Sequence, residues 1–389
     1  MLKKPTVAIA LSGGVDSSVS ALLLKKAGFK VFALFMKNWE ETDENGKCLA
    51  SQDLEDVAKV CEILKIPYYT INFAQEYREK VFNLFLKGYQ AGYTPNPDIL
   101  CNKEIKFNLF LKKALKLGAD LMATGHYARI DSSYNLLKGL DKTKDQSYFL
   151  YTLKQDILKK VLFPIGHLEK TEVRKIALEN NLPVALKKDS TGICFIGKRS
   201  FRPFLSKFIK PKKGFFVDLE GKVMGEHEGA FLYTLGQREG LKIGGEGKAW
   251  FVVGKEIEKN LVIVAQGPEH PALFSNTLIA FDLTWVDNDF SFSKKQSDPN
   301  SSTPHQNSQK TPFSCQAKIL YRQEEQECTI EKIEKGLAYV SFKIPQRAIT
   351  PLQSIVFYQG ELCLGGGLIQ SVGPSLYHLQ ESLSQEVTQ

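Results

Sequence analysis

Apolar positions in the first half of the chain alternate between two rhythms. Short apolar runs at 7–11, 31–36, 68–72 and 120–124 read as strands, and segments at 17–27, 76–90 and 103–117 read as helices. Between the second and third runs, Leu54, Val57, Ala58 and Cys61 fall at i, i+3, i+4 and i+7, one helical face, which assigns Cys61 to a core. Strands that alternate with helices predict an α/β fold, a doubly wound parallel sheet covered on both faces.

Near residue 200 the pattern changes. After a helix over 200–208 come short segments punctuated by Gly, at 214–218, 250–254 and 261–265. From 277 onward the chain is almost wholly strand-like, with runs at 315–321, 329–333, 338–342, 354–358 and 362–364. The reading is three domains: an α/β domain over 1–205, a small mixed linking domain over 206–275, and a C-terminal β-barrel over 276–389. Residues 294–312 contain only Ser, Gln, Asn, Pro, Thr, Lys, Asp and His, so they bury no apolar surface and are expected to form a mobile insertion, with His305 inert. The Gln-, Ser- and Glu-rich tail after Tyr377 is expected to fray. No internal repeat is visible.

Composition narrows the class. With 389 residues, 43% hydrophobic and 24% charged, the chain is too long for a disulfide-stapled miniprotein and too apolar for global disorder. Its net charge of +8 suits a polyanionic partner without requiring one. No stretch reaches the roughly 18 apolar residues of a membrane span, and Met1-Leu2-Lys3-Lys4 runs straight into a strand, so a cytoplasmic protein is expected. The seven cysteines are dispersed and never form a CxxC pair, which disfavours both a disulfide set and a zinc site.

The strongest local signal is Ser12-Gly13-Gly14-Val15-Asp16-Ser17, between the first strand and the first helix. Glycines let the backbone approach an anion, two hydroxyls add donors, and a helix N-terminus presents free N–H groups, so the turn suits phosphate. It is neither a Walker A loop, lacking GxxxxGK[ST], nor a GxGxxG turn. Two thiols stand in polar, cationic surroundings. Cys101 follows Asn96-Pro97-Asp98-Ile99-Leu100 and precedes a helix carrying Lys103, Lys106, Lys112, Lys113 and Lys116; Cys194 lies in Asp189-Ser190-Thr191-Gly192-Ile193-Cys194 after Lys187 and Lys188. Thiols so placed are expected to be reactive, whereas Cys48, Cys61, Cys315, Cys328 and Cys363 read as small buried hydrophobes. Asn-Pro-Asp alone reads as an ordinary turn.

The hexamer resembles the loop of pyrophosphate-loop ATPases, which cleave ATP between its α and β phosphates and transfer AMP. By that resemblance Ala10, Leu11, Ser12, Gly13, Gly14, Val15, Asp16 and Ser17, with Met36 and Gly125 at strand ends, hold ATP, and Asp16 is a ligand for Mg²⁺. Together with NPDILCNKEIKF, GHYARI, KDQSYFLY, DSTGICFIG, YTLGQREGL, ILYRQ and LCLGGG, the chain resembles the tRNA-specific 2-thiouridylases almost end to end. That resemblance implies adenylation of O2 of the wobble uridine, then sulfur transfer from a persulfide on Cys194 with Cys101 as partner nucleophile. The terminal sulfur either attacks directly or leaves as sulfide. Asp98 becomes the general acid or base, in a pocket shaped by Asn96 and Pro97. Lys144, Asp145, Gln146, Tyr321, Arg322 and Gln353 become tRNA contacts, and His126 either touches tRNA or caps its strand. A monomer served by a persulfide-donating protein is expected. Two departures from the family pattern are the 294–312 insertion and Leu352, where a small turn residue is expected. Two other readings use part of these features: a pyrophosphate-loop ligase or amidotransferase acting on a small metabolite, which needs neither thiol, and an RNA-binding redox sensor that holds nucleotide without catalysis.

Overall fold

The computed structural model describes residues 4–39, 51–189, 200–287, 291–293 and 308–387. In the N-terminal part, β1 (Thr6–Ala10), β2 (Lys30–Lys37), β3 (Tyr68–Asn72) and β4 (Leu121–Ala123) are followed by a hairpin, β5 (Ala128–Ile130) and β6 (Leu136–Lys138), and by β7 (Val161–Leu162). Strands β1–β4 and β7 make a parallel sheet in the order β3-β2-β1-β4-β7. Helices α1 (Val15–Lys26) and α2 (Ser51–Leu64) connect the first strands. Strand periodicity explains the two layers: Val7 and Ile9 join Ala33 and Phe35 in one buried cluster, while Ala8 joins Phe32 and Leu34 in the other. The strand order reverses between β1 and β4, which opens a crevice beyond their carboxyl ends.

Strands β8 (Gly214–Val217), β9 (Val223–His227), β10 (Trp250–Glu256) and β11 (Leu261–Gln266) form a separate mixed sheet, and Phe216, Val252, Val262 and Val264 extend the cluster of Ala8, Phe32 and Leu34, so this unit shares a core with the α/β domain. The third sheet is built on β12 (Phe274–Trp285), and a short parallel pair, β13 (Ser291–Ser293) and β14 (Ser308–Lys310), precedes β15 (Phe313–Lys318), β16 (Gln326–Glu334), β17 (Leu337–Arg347), β18 (Ser354–Gln359) and β19 (Leu362–Val372). Antiparallel pairing runs β12-β17-β16-β15-β18-β19 and returns from β19 to β12, a closed barrel without free edges. The β5–β6 hairpin of the first domain joins it by pairing Leu137 with Leu362. Of the expected insertion, 294–307 lie outside the described residues, and 308–310 form β14.

Two expectations change. The tail is a helix, Leu376–Val387, rather than a frayed end: Ser375 accepts from the His378 N–H at 3.3 Å and supplies the N-cap that the polar composition hides. Tyr321 and Arg322 lie in the turn beyond Lys318, not on the strand. No helix among the described residues is long and apolar enough to cross a membrane.

Candidate active site

The phosphate loop leaves β1 at the crevice. Gly13 has φ +74°, and a Cβ there would stand 2.6 Å from the Asp53 carbonyl oxygen, so no other residue fits this turn. Ser12 N–H donates to Ser17 Oγ at 3.2 Å, and Ser17 Oγ donates to the Gly14 carbonyl at 3.2 Å, so the loop's own hydroxyls hold its shape. Among the described residues no side chain caps the first turn of α1, which leaves its N–H groups for an anion. Gly125, just past β4, presses on the same turn: a Cβ there would lie 2.6 Å from Ser17 N. Ala10 and Met36 are part-buried at the ends of β1 and β2. This cradle fits the triphosphate of ATP. It does not by itself fit Mg²⁺, because both Asp16 oxygens accept from Lys170 Nζ, at 2.7 and 2.8 Å, and Tyr127 O–H donates to Oδ1 at 2.8 Å. Among the described residues, no three His, Cys, Asp or Glu side chains form a metal site.

Around the loop lies a charge network that the sequence pattern did not single out. Lys170 also reaches Asp189 Oδ1 at 2.8 Å, and Asp189 is held in addition by Lys144 at 2.9 Å and Arg174 at 2.8 Å. Burial pushes the Asp189 carboxyl up, but the bonds from Lys170 and Lys144 outweigh it and hold the group down at about 2. Lys187 donates to the Gly13 carbonyl at 2.9 Å and pairs with Asp53 and Asp56 on α2 at 2.7 and 2.6 Å. Burial pulls Lys187 down, and its bonds to Asp53 and Asp56 more than reverse this. Tyr127 and Asp189 sit inside two of the family-like stretches, GHYARI and DSTGICFIG, which was the available signal for them. The segment after Asp189 that carries Cys194 lies outside the described residues, as does Cys48.

The second wall is the helix that starts at Pro97. Asn96 Oδ1 accepts from Asp98 N–H at 3.1 Å and Pro97 takes the first position, so Asn-Pro-Asp is a helix start, not a free turn. The helix is α over Pro97–Leu100, π over Cys101–Phe110 and α again over Leu111–Lys116. Burial raises the Asp98 pKa, opposed by the charge of Lys106. Cys101 is only 2% exposed and packs in the apolar cluster with Ile99, Ile105 and Phe107. This corrects the expectation of a polar setting: the thiol faces the apolar cluster, and of the lysines near it in sequence Lys103 pairs with Asp282 on the barrel at 3.1 Å. Across the crevice His126 lies with Nδ1 2.7 Å from Thr124 Oγ1 and its ring 5.7 Å from that of Phe107. Burial, then the charge of Lys106, hold its pKa well below the usual value, so it is neutral at pH 7.

Several residues expected to meet tRNA make bonds inside the protein. Asp145 is buried, accepting from Gly139 N–H at 2.9 Å and Ser147 Oγ at 2.9 Å, with Lys318 Nζ 3.7 Å away. Gln146 Oε1 accepts from Tyr127 N–H at 3.0 Å, Lys144 is taken by Asp189, and Gln353 Nε2 donates to the Thr94 carbonyl. Leu352 has φ +64°, which explains why a small turn residue suits that place. Tyr321 packs its ring 4.3 Å from that of Phe149, and burial pushes its pKa up to about 12; Arg322 is exposed. Phe149 in turn gives its carbonyl to Asn102 Nδ2 at 3.0 Å, next to Cys101, a link no sequence pattern announces.

Three family models match the chain: one described as a tRNA methyl transferase HUP domain over residues 5–198, a tRNA methyl transferase PRC-barrel domain over 202–266, and an aminomethyltransferase beta-barrel domain over 294–369. Curated relatives match nearly end to end. A protein named tRNA-specific 2-thiouridylase MnmA from Protochlamydia amoebophila is 54% identical over 390 residues, covering 99% of both chains. Proteins of the same name from Halalkalibacterium halodurans and Bacillus subtilis are 52% and 50% identical, covering 94% and 96% of this chain and 95% and 97% of theirs.

Proposed function

The chain belongs to the tRNA-specific 2-thiouridylase family, and on that footing we propose that it replaces O2 of the wobble uridine of tRNA with sulfur, turning ATP into AMP and pyrophosphate. The observation that carries this reading is the meeting at the switch point. Gly125 seats the end of β4 on the Ser17 N–H of the phosphate loop, and the next residue, His126, packs on Phe107 of the helix bearing Asp98 and Cys101. A nucleotide bound by the loop would thus have its α-phosphate beside the wall that holds these two groups.

The chemistry follows from the leaving group. Oxide does not leave a urea-like C2, so O2 first attacks the α-phosphorus; the O2–P bond forms as the bond to pyrophosphate breaks, and the pair departs on pyrophosphate. The N3 proton passes to Asp98, which burial makes a stronger base than a solvated carboxylate. A persulfide on Cys194, charged by a sulfur-donating protein, then supplies sulfur to C2. In one course Cys101 attacks Cys194 Sγ and frees hydrosulfide, which adds to C2; in the other the terminal sulfur adds first and Cys101 then cleaves the S–S bond. Both expel AMP, give C2=S and leave a Cys101–Cys194 disulfide that a dithiol reductant must reopen. Tyr321 and Arg322 in the barrel turn face tRNA, an enclosed pocket takes the extracted base, and the chain acts as a cytoplasmic monomer. Mg²⁺ arrives on the nucleotide, and no step is assigned to it.

Purified protein with ATP, a persulfide donor and unmodified tRNA is expected to form 2-thiouridine. Cys194→Ala should abolish sulfur transfer and spare tRNA-dependent AMP formation. Equal loss of both would make Cys194 structural, and turnover of ATP without RNA would point to a small-molecule ligase.

A further inference from the structure

On the helix that bears Cys101 stands a lysine with no bonded partner among the described residues. Lys106 is half-buried, yet among the described residues it makes no ion pair and no hydrogen bond. A part-buried ammonium that no carboxylate or carbonyl of the described residues engages keeps its donors available to a ligand. Its placement follows from the unusual helix. Five residues along an α-helix lie about 140° apart around the axis, but in a π-helix, bonded i to i+5, residue i+5 returns to nearly the face of residue i. The π stretch Cys101–Phe110 therefore brings Lys106 round to the side of Cys101. The neighbouring Phe107 ring touches His126, and Gly125 beside it rests on Ser17 N, so this side of the helix looks toward the phosphate loop. The positive charge is felt by groups on two elements, Asp98 on its own helix and His126 beyond β4.

We infer that Lys106 is a further catalytic residue whose ammonium holds the α-phosphoryl oxygens during adenylation of the base and again as AMP leaves. The inference rests on the thiolation reading above. In the first step the non-bridging oxygens gather charge as the O2–P bond forms and the bond to pyrophosphate breaks; in the second the C2–O2 bond breaks and its pair departs on the phosphate. A fixed ammonium in a half-buried site stabilises both, and Lys106 neither gives nor takes a proton. The phosphate, and not the Cys101 sulfur, is the anion because the thiol is packed among apolar side chains, while His126 and the loop lie on the lysine's side.

The test uses the full chain with ATP, unmodified tRNA and sodium sulfide as sulfur source, reading AMP and 2-thiouridine separately. Lys106→Met should lower tRNA-dependent AMP formation on the order of 10²-fold in kcat, with KM for tRNA little changed, and Lys106→Arg should recover much of the loss. Because the charge depresses Asp98, its removal should also move the acid limb of the kcat profile to higher pH, which a purely structural lysine would not do. Lys106→Gln, polar but uncharged, must show the same loss, which covers a methionine variant that folds poorly. AMP formation at the wild-type rate in Lys106→Met or Lys106→Gln overturns the assignment, including the case in which thiolation alone falls and the charge serves sulfur. Absence of 2-thiouridine from the wild-type protein overturns the thiolation reading instead.

Discussion

Replacing Lys170 by methionine keeps the side-chain stem and deletes the charge that joins Asp16 to Asp189. The lysine side chain is 10% exposed and its partners 32% and 30%, with contacts of 2.7 and 2.8 Å. Removing one member of a fully buried pair costs about 3–5 kcal/mol, whereas a surface pair is worth about 0–1. Partners that are one-third exposed, with Asp16 keeping Tyr127 and Asp189 keeping Lys144 and Arg174, place the cost near ~2 kcal/mol. For a domain of this size that lowers Tm by roughly 4–8 °C. The pH dependence gives a second measure. Asp189 is held down from 3.8 to about 2, so its contribution to stability is fully present above the unfolded value and is lost as pH falls through the window from 3.8 to about 2. Urea midpoints taken across that window should fall less steeply for Lys170→Met than for the wild type, since the group doing most to depress the carboxyl has gone. In an Asp189→Asn background the same substitution should cost less. Equal midpoints and equal acid limbs in variant and wild type would refute the reasoning.

Gly125→Ala puts a methyl group 2.6 Å from Ser17 N and 2.8 Å from the Asp16 carbonyl carbon, so the loop must shift while the rest of the sheet stands; AMP formation should drop at least about tenfold with an unchanged circular dichroism spectrum. Tyr148→Phe removes the hydroxyl that donates to the Ser354 carbonyl at 2.9 Å in a buried place, and chemical denaturation should report a loss of about 1–2 kcal/mol. Cys315 and Cys328 face each other in register on β15 and β16 with sulfurs 3.6 Å apart, so oxidised glutathione should close them into a disulfide, seen as a peptide cross-link by mass spectrometry under non-reducing conditions and absent from Cys315→Ser.

What could be read from the chain was what is local. Alternating runs gave the sheet and the barrel strands, and the glycines gave the tight turn between β1 and α1, because each is decided within a few residues. The burial of Cys101 was hidden because flanking lysines say nothing about which face a helix turns inward, and nothing in the composition of 101–110 signals a π-helix. Lys170 was missed because its partner Asp16 lies 154 positions away. Asp145 and Gln353 are RNA contacts by family resemblance, and the bonds they also make to the Gly139 N–H and the Thr94 carbonyl are set by packing that no local pattern displays.

Those buried bonds have a consequence for how the barrel relates to the chemistry. The segment from Lys144 to Tyr151 is tied at every other residue or so to a different part of the molecule: Lys144 to Asp189 beside the phosphate loop, Gln146 to Tyr127, Ser147 to Tyr358 of the barrel, Tyr148 and Tyr151 to Ser354, and the Phe149 carbonyl to Asn102. Gln353, one residue before Ser354, holds the Thr94 carbonyl just ahead of the helix that carries Asp98 and Cys101. The same barrel corner thus grips both the entry to that helix and the segment packed along it. Close-packed, hydrogen-bonded contacts of this kind do not yield separately, so a ligand that displaces the corner must displace both walls of the crevice or break buried bonds worth about 1 kcal/mol or more each. A barrel joined in this way to the phosphate loop and to the thiol helix is not an independent module; on the proposed thiolation, engagement of tRNA at Tyr321 and alignment at Asp98 would be parts of one movement.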